Sequence, residues 1–207
     1  AQSVDFIWAH HEAMFFPAKN LDLRQPQNQM YADLIKHNIV VYASHTNLDS
    51  AAGGMNDWLA DALALTAVEP LVPNADGRTG LGRIGVLATP ISVADYAAQL
   101  RTRFGVQTLR VIANDLTKPI QKVAVLGGDG GRYWQQAQAA GADAFVTADV
   151  YYHVGHDILA AGFVVIDPDH HMEAIAATPM AAKVHEWFGD QLTAFPTTTN
   201  TDPYTYI

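Results

Sequence analysis

The sequence predicts an α/β protein built on a mostly parallel or mixed sheet, and three observations carry that prediction. Short, β-rich apolar runs alternate with helical patterns along the chain. The strand runs are continuously apolar instead of alternating, the pattern of strands covered by helices on both faces. The 207 residues, 49% hydrophobic and 16% charged, suffice for one sizeable core or for two small lobes sharing a cleft.

A first strand is expected at 4–8 (Val-Asp-Phe-Ile-Trp), then a helix at 30–37, a strand at 39–42 and a helix at 56–65. Residues 69–85, rich in Pro, Gly and Asp, read as a surface connection dividing two lobes. A strand at 84–88 follows, then a helix at 92–104 with Ser92 as its N-cap. The second half repeats the unit more clearly, with strand 123–126, helix 132–140, strand 144–146, helix 152–161 and strand 163–166. A last helix is expected at 172–188, where Pro179 lacks an amide donor and kinks the helix or splits it in two. The Thr-rich tail 196–207, ending in Tyr204 and Ile207, reads as an edge strand.

Composition narrows the function. A net charge of −9 with only 12 Lys plus Arg argues against nucleic acid, whose phosphates call for clustered basic side chains. No apolar run approaches the ~20 residues that cross a bilayer, and no charged-then-apolar leader is seen, so the expected location is the cytoplasm, away from membranes. With no cysteine there are no disulfides and no thiolate ligands. Any metal must then be held by imidazole and carboxylate, a donor set that suits Zn, Mn or Fe.

Three predicted strands run into such donors: the first into His10-His11, the second into His45 and Asp49, the last into Asp167, Asp169, His170 and His171. Open α/β sheets gather ligands at the carboxyl ends of their strands. His170 and Glu173, three apart at a helix start, share one face. Each element taken alone has an ordinary reading: a histidine after a strand caps or faces solvent, and a His/Glu pair at that spacing starts a surface helix. The run Gly127-Gly128-Asp129-Gly130-Gly131 has two readings, an anion cradle at a helix start or a plain tight turn; its spacing is not the dinucleotide fingerprint. His153 and His156 either line the site or lie on a half-buried helix face. Met14, Phe15 and Phe16 are expected to pack beneath the first cluster, His37 and His185 to be surface residues, and Arg83 and Arg132 either to meet an anionic substrate group or to lie on the surface.

The ordered motifs Ala9-His10-His11 with Phe15-Phe16, Ser44-His45-Thr46-Asn47-Leu48-Asp49 with Gly53-Gly54, Gly80-Leu81-Gly82-Arg83-Ile84-Gly85, the glycine run at 127–131, Thr147 to His153, and Asn200-Thr201-Asp202-Pro203 resemble the GTP cyclohydrolase I type 2-like, or Nif-three-like, family over nearly the whole chain. The resemblance implies one domain over 1–207 with a two-lobed fold, mixed sheets flanked by helices, a dinuclear metal centre in the central cleft, and a ring-shaped homohexamer. Carried over by position, it implies His10, His11, Asp49, His170 and Glu173 as ligands of two divalent ions (Zn, Mn or Fe). His45 and His153 fall beside them as candidates for proton transfer or substrate contact. Two departures stand out: Glu12 occupies the place of a usual proline, and Asp169 stands where glycine is common. In many relatives the last glutamate lies one position further on, where this chain has Ala174; the shorter spacing fits Glu173. The family's usual helix and strand before the paired histidines are expected to lie outside these 207 residues.

The expected function is a metal-dependent hydrolase acting on a small molecule that the residues do not identify, with Asp49 and Glu173 as bridging carboxylates. The rival reading is a metal-binding, regulatory or assembly protein without catalysis. An exchangeable water position on the metal distinguishes the first from the second.

Overall fold

The computed structural model describes residues 4–207; residues 1–3, where the expected domain begins, lie outside the described residues. The chain divides into two units, Ala1–Leu48 and Asp49–Ile207.

In the first unit, β1 (Phe6–Ala9) and β2 (Val40–Ala43) form a two-stranded parallel sheet. They are joined through α1 (Pro26–Lys36). The helix starts four residues before its predicted position because Pro26 sits in its first turn, where no amide is needed and the fixed φ suits the helix. The register pairs Phe6 with Val40 and Ala9 with Ala43, so both strands end level and the residues after them lie side by side. Met14, Phe15 and Phe16 are 46%, 64% and 77% exposed, which corrects the expectation that they pack under the first histidines. A unit this small has little interior in which to enclose them.

A short helix, α2 (Thr46–Ser50), leads into the second unit, which begins with α3 (Met55–Ala62). Six strands follow: β3 (Thr66–Pro73), β4 (Gly80–Ser92), β5 (Arg110–Ile112), β6 (Pro119–Asp129), β7 (Ala144–Ala148) and β8 (Val164–Asp167). They form one sheet in the order β3-β4-β6-β7-β8-β5. β6, β7 and β8 are parallel, whereas β3, β4 and β5 join antiparallel, so the sheet is mixed. The helices α4 (Val93–Phe104), α5 (Trp134–Ala139), α6 (Tyr152–Ala160) and α7 (Ala177–Phe188) complete the unit.

Every residue of β7 and β8 is buried, as continuous apolar runs require. Phe145 and Val165, both fully buried, pack with Ala124, Leu126, Ile158 and Phe163. Each large side chain so enclosed contributes roughly 1.5–3 kcal/mol relative to exposure. Ser92 caps α4 as expected, its Oγ accepting from the Asp95 amide at 3.1 Å.

Two expectations are corrected. Residues 69–85 hold most of a β-hairpin, not merely a surface connection: β3 and β4 pair across a turn in which Asp76 accepts from the amides of Arg78 and Thr79, both at 2.9 Å. Pro70 and Pro73 hid β3, and they are tolerated because it is an edge strand. The last helix is split in two, one of the outcomes expected of Pro179: a 3-10 segment, His170–Ala176, precedes α7, which holds Pro179 in its first turn. The tail 196–207 has no regular structure and forms no edge strand. No described helix is long and apolar enough to cross a membrane.

Candidate functional site

The first unit delivers three imidazoles to one place. Because β1 and β2 end level, His10-His11 lie beside Ser44-His45. Trp8 Nε1 donates to Ser44 Oγ at 3.0 Å, and His10 Nδ1 donates to the Ser44 carbonyl at 2.8 Å. A carbonyl can only accept, so Nδ1 of His10 carries a hydrogen, and in the neutral ring the lone pair is on Nε2. The ring centroids of His10, His11 and His45 are 4.9–5.2 Å apart, and one nitrogen of each lies within 4.8 Å of the others. Glu12 puts Oε2 3.3 Å from His45 Nδ1.

The second unit holds carboxylates and a fourth imidazole. His170 opens the 3-10 segment after β8, and Glu173 lies one turn on. Glu173 Oε2 is 3.3 Å from His170 Nε2, and the Glu173 side chain is only 8% exposed. A carboxylate oxygen of Asp49 lies within 4.8 Å of one on Glu173. On its other edge, His170 Nδ1 donates to Asp149 Oδ2 at 2.5 Å. Hydrogen bonding to Glu173, opposed by burial and reinforced by Asp149 and both negative charges, pushes the His170 imidazole up to about 9 from its ordinary 6.5.

The glycine run proves to serve this pair. A Cβ on Gly128 would sit 2.7 Å from Glu173 Oε1 and 3.2 Å from His170 Nε2, and Gly128 has a φ of +63°. A Cβ on Gly127 would meet Glu173 Oε1 at 3.1 Å. Gly127 and Gly128, near the end of β6, leave room for the carboxylate and imidazole because they carry no side chains. Asn56, fully buried, connects that stretch to Asp49: its Nδ2 donates to the Asp49 carbonyl at 3.0 Å, and its Oδ1 accepts from the Gly127 amide at 3.1 Å. Sequence reasoning placed Asn56 in an ordinary helix and did not foresee this bridge; its position beside two glycines was the available signal.

Other candidates fall elsewhere. His153 is exposed in the first turn of α6, its ring edge-on to Tyr152 at 5.5 Å, and it is outside the described groups of donors within 4.8 Å of one another. His37 and His185 are exposed, as expected. Arg83 is neither a surface residue nor an anchor for substrate: it is 2% exposed and consumed by Asp57 and by the carbonyls of Ala51, Gly80 and Gly82.

Imidazole nitrogens and carboxylate oxygens are donors that could hold a metal ion, and Gly127 and Gly128 leave space beside Glu173 and His170.

The comparisons agree with this fold. A curated protein of Streptococcus pneumoniae, named GTP cyclohydrolase 1 type 2 homolog, is 38% identical over 212 residues, covering 100% of this chain and 79% of that protein. A Lactococcus lactis protein of the same name is 40% identical over 176 residues, covering 84% of this chain and 66% of its own length. The crystal structure of a Bacillus cereus protein related to NIF3 superposes with a TM-score of 0.92 at 26% identity, covering 98% of this chain and 83% of that one. A Staphylococcus aureus structure at 24% identity, with a TM-score of 0.93 and coverage of 98% and 80%, shares the fold. The Duf34/NIF3 (NGG1p interacting factor 3) family model matches residues 1–203, and the chain belongs to that family.

Proposed function

We propose that the chain is a metal-dependent hydrolase that holds two divalent ions through His10, His11, Asp49, His170 and Glu173. The observation that carries this reading is the buried Glu173 carboxylate, 3.3 Å from His170 Nε2 and backed by Gly127 and Gly128, with an Asp49 carboxylate oxygen within 4.8 Å. Burying carboxylates this close together is costly unless a cation is shared between them. Divalent ions held there supply Lewis acidity toward the scissile bond and lower the pKa of water. His45 is the residue for proton transfer, a reading supported by Glu12 Oε2 3.3 Å from its Nδ1, with Nε2 as the nitrogen that exchanges with substrate. His153, exposed on α6, serves substrate contact. The names of the relatives support testing ring-opening hydrolysis of purine nucleotides, beside phosphoesters and cyclic amides. A cytoplasmic homohexamer is part of the same reading.

The test is metal content per chain by elemental mass spectrometry, after purification without chelator or affinity-tag metal, on wild type and on His10→Ala with His170→Ala. About two ions per wild-type chain are expected, as in two-metal hydrolases, with loss in the double variant. The loaded protein is then screened on those three substrate classes, with Asp49→Ala as the control that keeps the fold and loses turnover. Metal binding without turnover on any class would replace the hydrolase by a metal-binding or regulatory protein. No metal after reconstitution would remove both readings.

A further inference from the structure

We infer that Asp149 is the positioning residue that fixes the tautomer and aim of His170, and through it the metal affinity of the second unit. The inference rests on the metal-binding reading above and adds a residue outside the proposed ligand set.

Asp149 stands immediately after β7, whose five residues are all buried, so its backbone starts from a fixed point. It has a φ of +52°, a left-handed conformation unfavourable for an L-residue. Aspartate tolerates that region better than most residues. The turn it makes brings Oδ2 to 2.5 Å from His170 Nδ1. The exits of β7 and β8 are held together by Asp167, which is 1% exposed and accepts from the Val150 amide at 3.3 Å and the Asp169 amide at 2.9 Å. Asp149 and His170, whose side chains are 42% and 37% exposed, therefore meet across two loops sharing a buried anchor.

The chemistry follows from what each atom can do. An ionised carboxylate only accepts hydrogen bonds, so the His170 hydrogen shared with Asp149 belongs to Nδ1. In the metal-binding tautomer the lone pair then lies on Nε2, the nitrogen on the Glu173 side. The negative charge behind the ring makes Nε2 a stronger donor and stops the imidazole from rotating. Partners of this kind are typically worth ~10–100-fold in metal affinity. His10 Nδ1 meets a backbone carbonyl, whereas His170 Nδ1 meets a carboxylate.

The experiment compares wild type, Asp149→Gly, Asp149→Asn and His170→Ala in chelator-competition titrations with Zn2+ and Co2+, reading the d–d absorption of the Co2+ form as well as affinity. Glycine removes the carboxylate while suiting the positive φ, and asparagine keeps the shape and one accepting oxygen without the charge. The expected result is metal binding ~10–100-fold weaker in Asp149→Gly, with a shifted Co2+ spectrum, and an intermediate loss in Asp149→Asn. If Asp149→Gly does not fold, Asp149→Asn carries the comparison by itself. Wild-type affinity and an unchanged Co2+ spectrum in the folded Asp149 variants would overturn the inference and leave the metal-binding reading standing. Absence of Zn2+ and Co2+ binding in the wild type, or full retention in His170→Ala, would overturn that reading and the inference with it.

Discussion

Asp57 and Arg83 form a two-point ion pair, Arg83 Nε donating to Oδ1 at 2.5 Å and Nη2 donating to Oδ2 at 3.0 Å, with the guanidinium only 2% exposed. The remaining donors of Arg83 go to the carbonyls of Gly80, Gly82 and Ala51, so the loop entering α3 is tied to β4 through one side chain. Such a buried cation is tolerated only while its counter-charge is present. Asp57→Ala is expected to destabilise the protein by about 3 kcal/mol in urea titration, because it leaves a desolvated guanidinium. Arg83→Met is expected to cost less, about 1–2 kcal/mol, because the Asp57 side chain is 29% exposed and can be hydrated. The pair also sets an acid limit. Burial alone would raise the Asp57 carboxyl, but the hydrogen bonds and charge of Arg83 and the amides of Gly53 and Gly54 outweigh it and hold the group below its ordinary 3.8. A lowered folded-state value contributes stability above 3.8 that is lost as pH falls through the folded value. Wild type should therefore lose more stability than Asp57→Ala between neutral pH and pH ~3.

Gly128→Ala tests the role assigned to the glycine run. The added methyl would stand 2.7 Å from Glu173 Oε1 at a φ of +63°, so the carboxylate must move and the backbone is strained. The expected cost is about 1–2 kcal/mol of stability. A loss of metal affinity of roughly tenfold or more is expected with it, since displacing a ligand or its support has effects of that order. Titration with Zn2+ alongside thermal melting separates the two. Unaltered affinity at reduced stability would mean that the run is a tight turn and nothing more.

Protons and metal compete at His170. In the metal-free protein its imidazole, held by Glu173 and then Asp149, is raised to about 9 from 6.5. A raised histidine contributes stability that is complete below 6.5 and disappears as pH rises through about 9. Metal-free wild type should therefore melt at progressively lower temperature across that window, a slope that His170→Gln should flatten. Metal binding displaces the proton, so the metal-induced rise in melting temperature should grow with pH over the same range. Differential scanning calorimetry with and without Zn2+ reads both slopes, and parallel slopes for wild type and His170→Gln would contradict this assignment.

What was legible in the sequence followed from burial. β7 and β8 are enclosed on both faces and announce themselves as unbroken apolar runs. β3 was hidden because an edge strand can keep Pro70 and Pro73, and β5 because three residues carry no usable period. The donors His10, His11, Asp49, His170 and Glu173 were legible as residue types at strand ends. Their supports were not. Asp149 meets His170 21 residues away, and Asn56 meets Gly127 71 residues away, through the placement of β6, β7 and β8 side by side. Local spacing carries no record of such contacts.

Asp169 carries a backbone strain that the structure partly offsets. Its φ of +76° and ψ of 157° fall in a region that is essentially reserved for glycine. The strain is of order 1–3 kcal/mol. Two contacts offset it. The carboxylate caps the 3-10 segment that begins at His170, accepting from the His171 amide at 3.4 Å, and it accepts from the Tyr206 hydroxyl at 3.0 Å. Asp169→Ala removes both contacts and keeps the strain, whereas Asp169→Gly removes both contacts and the strain. Asp169→Ala should therefore be the least stable of the three proteins, about 1–2 kcal/mol below wild type, with Asp169→Gly above it by about 1 kcal/mol or more. Tyr206→Phe should cost about 0.5–1.5 kcal/mol in wild type and close to nothing in the Asp169→Gly background, since its acceptor is then gone. Denaturant titration of the four single and double variants closes the cycle. An additive Tyr206→Phe cost in both backgrounds would show that the tail is held by something other than Asp169.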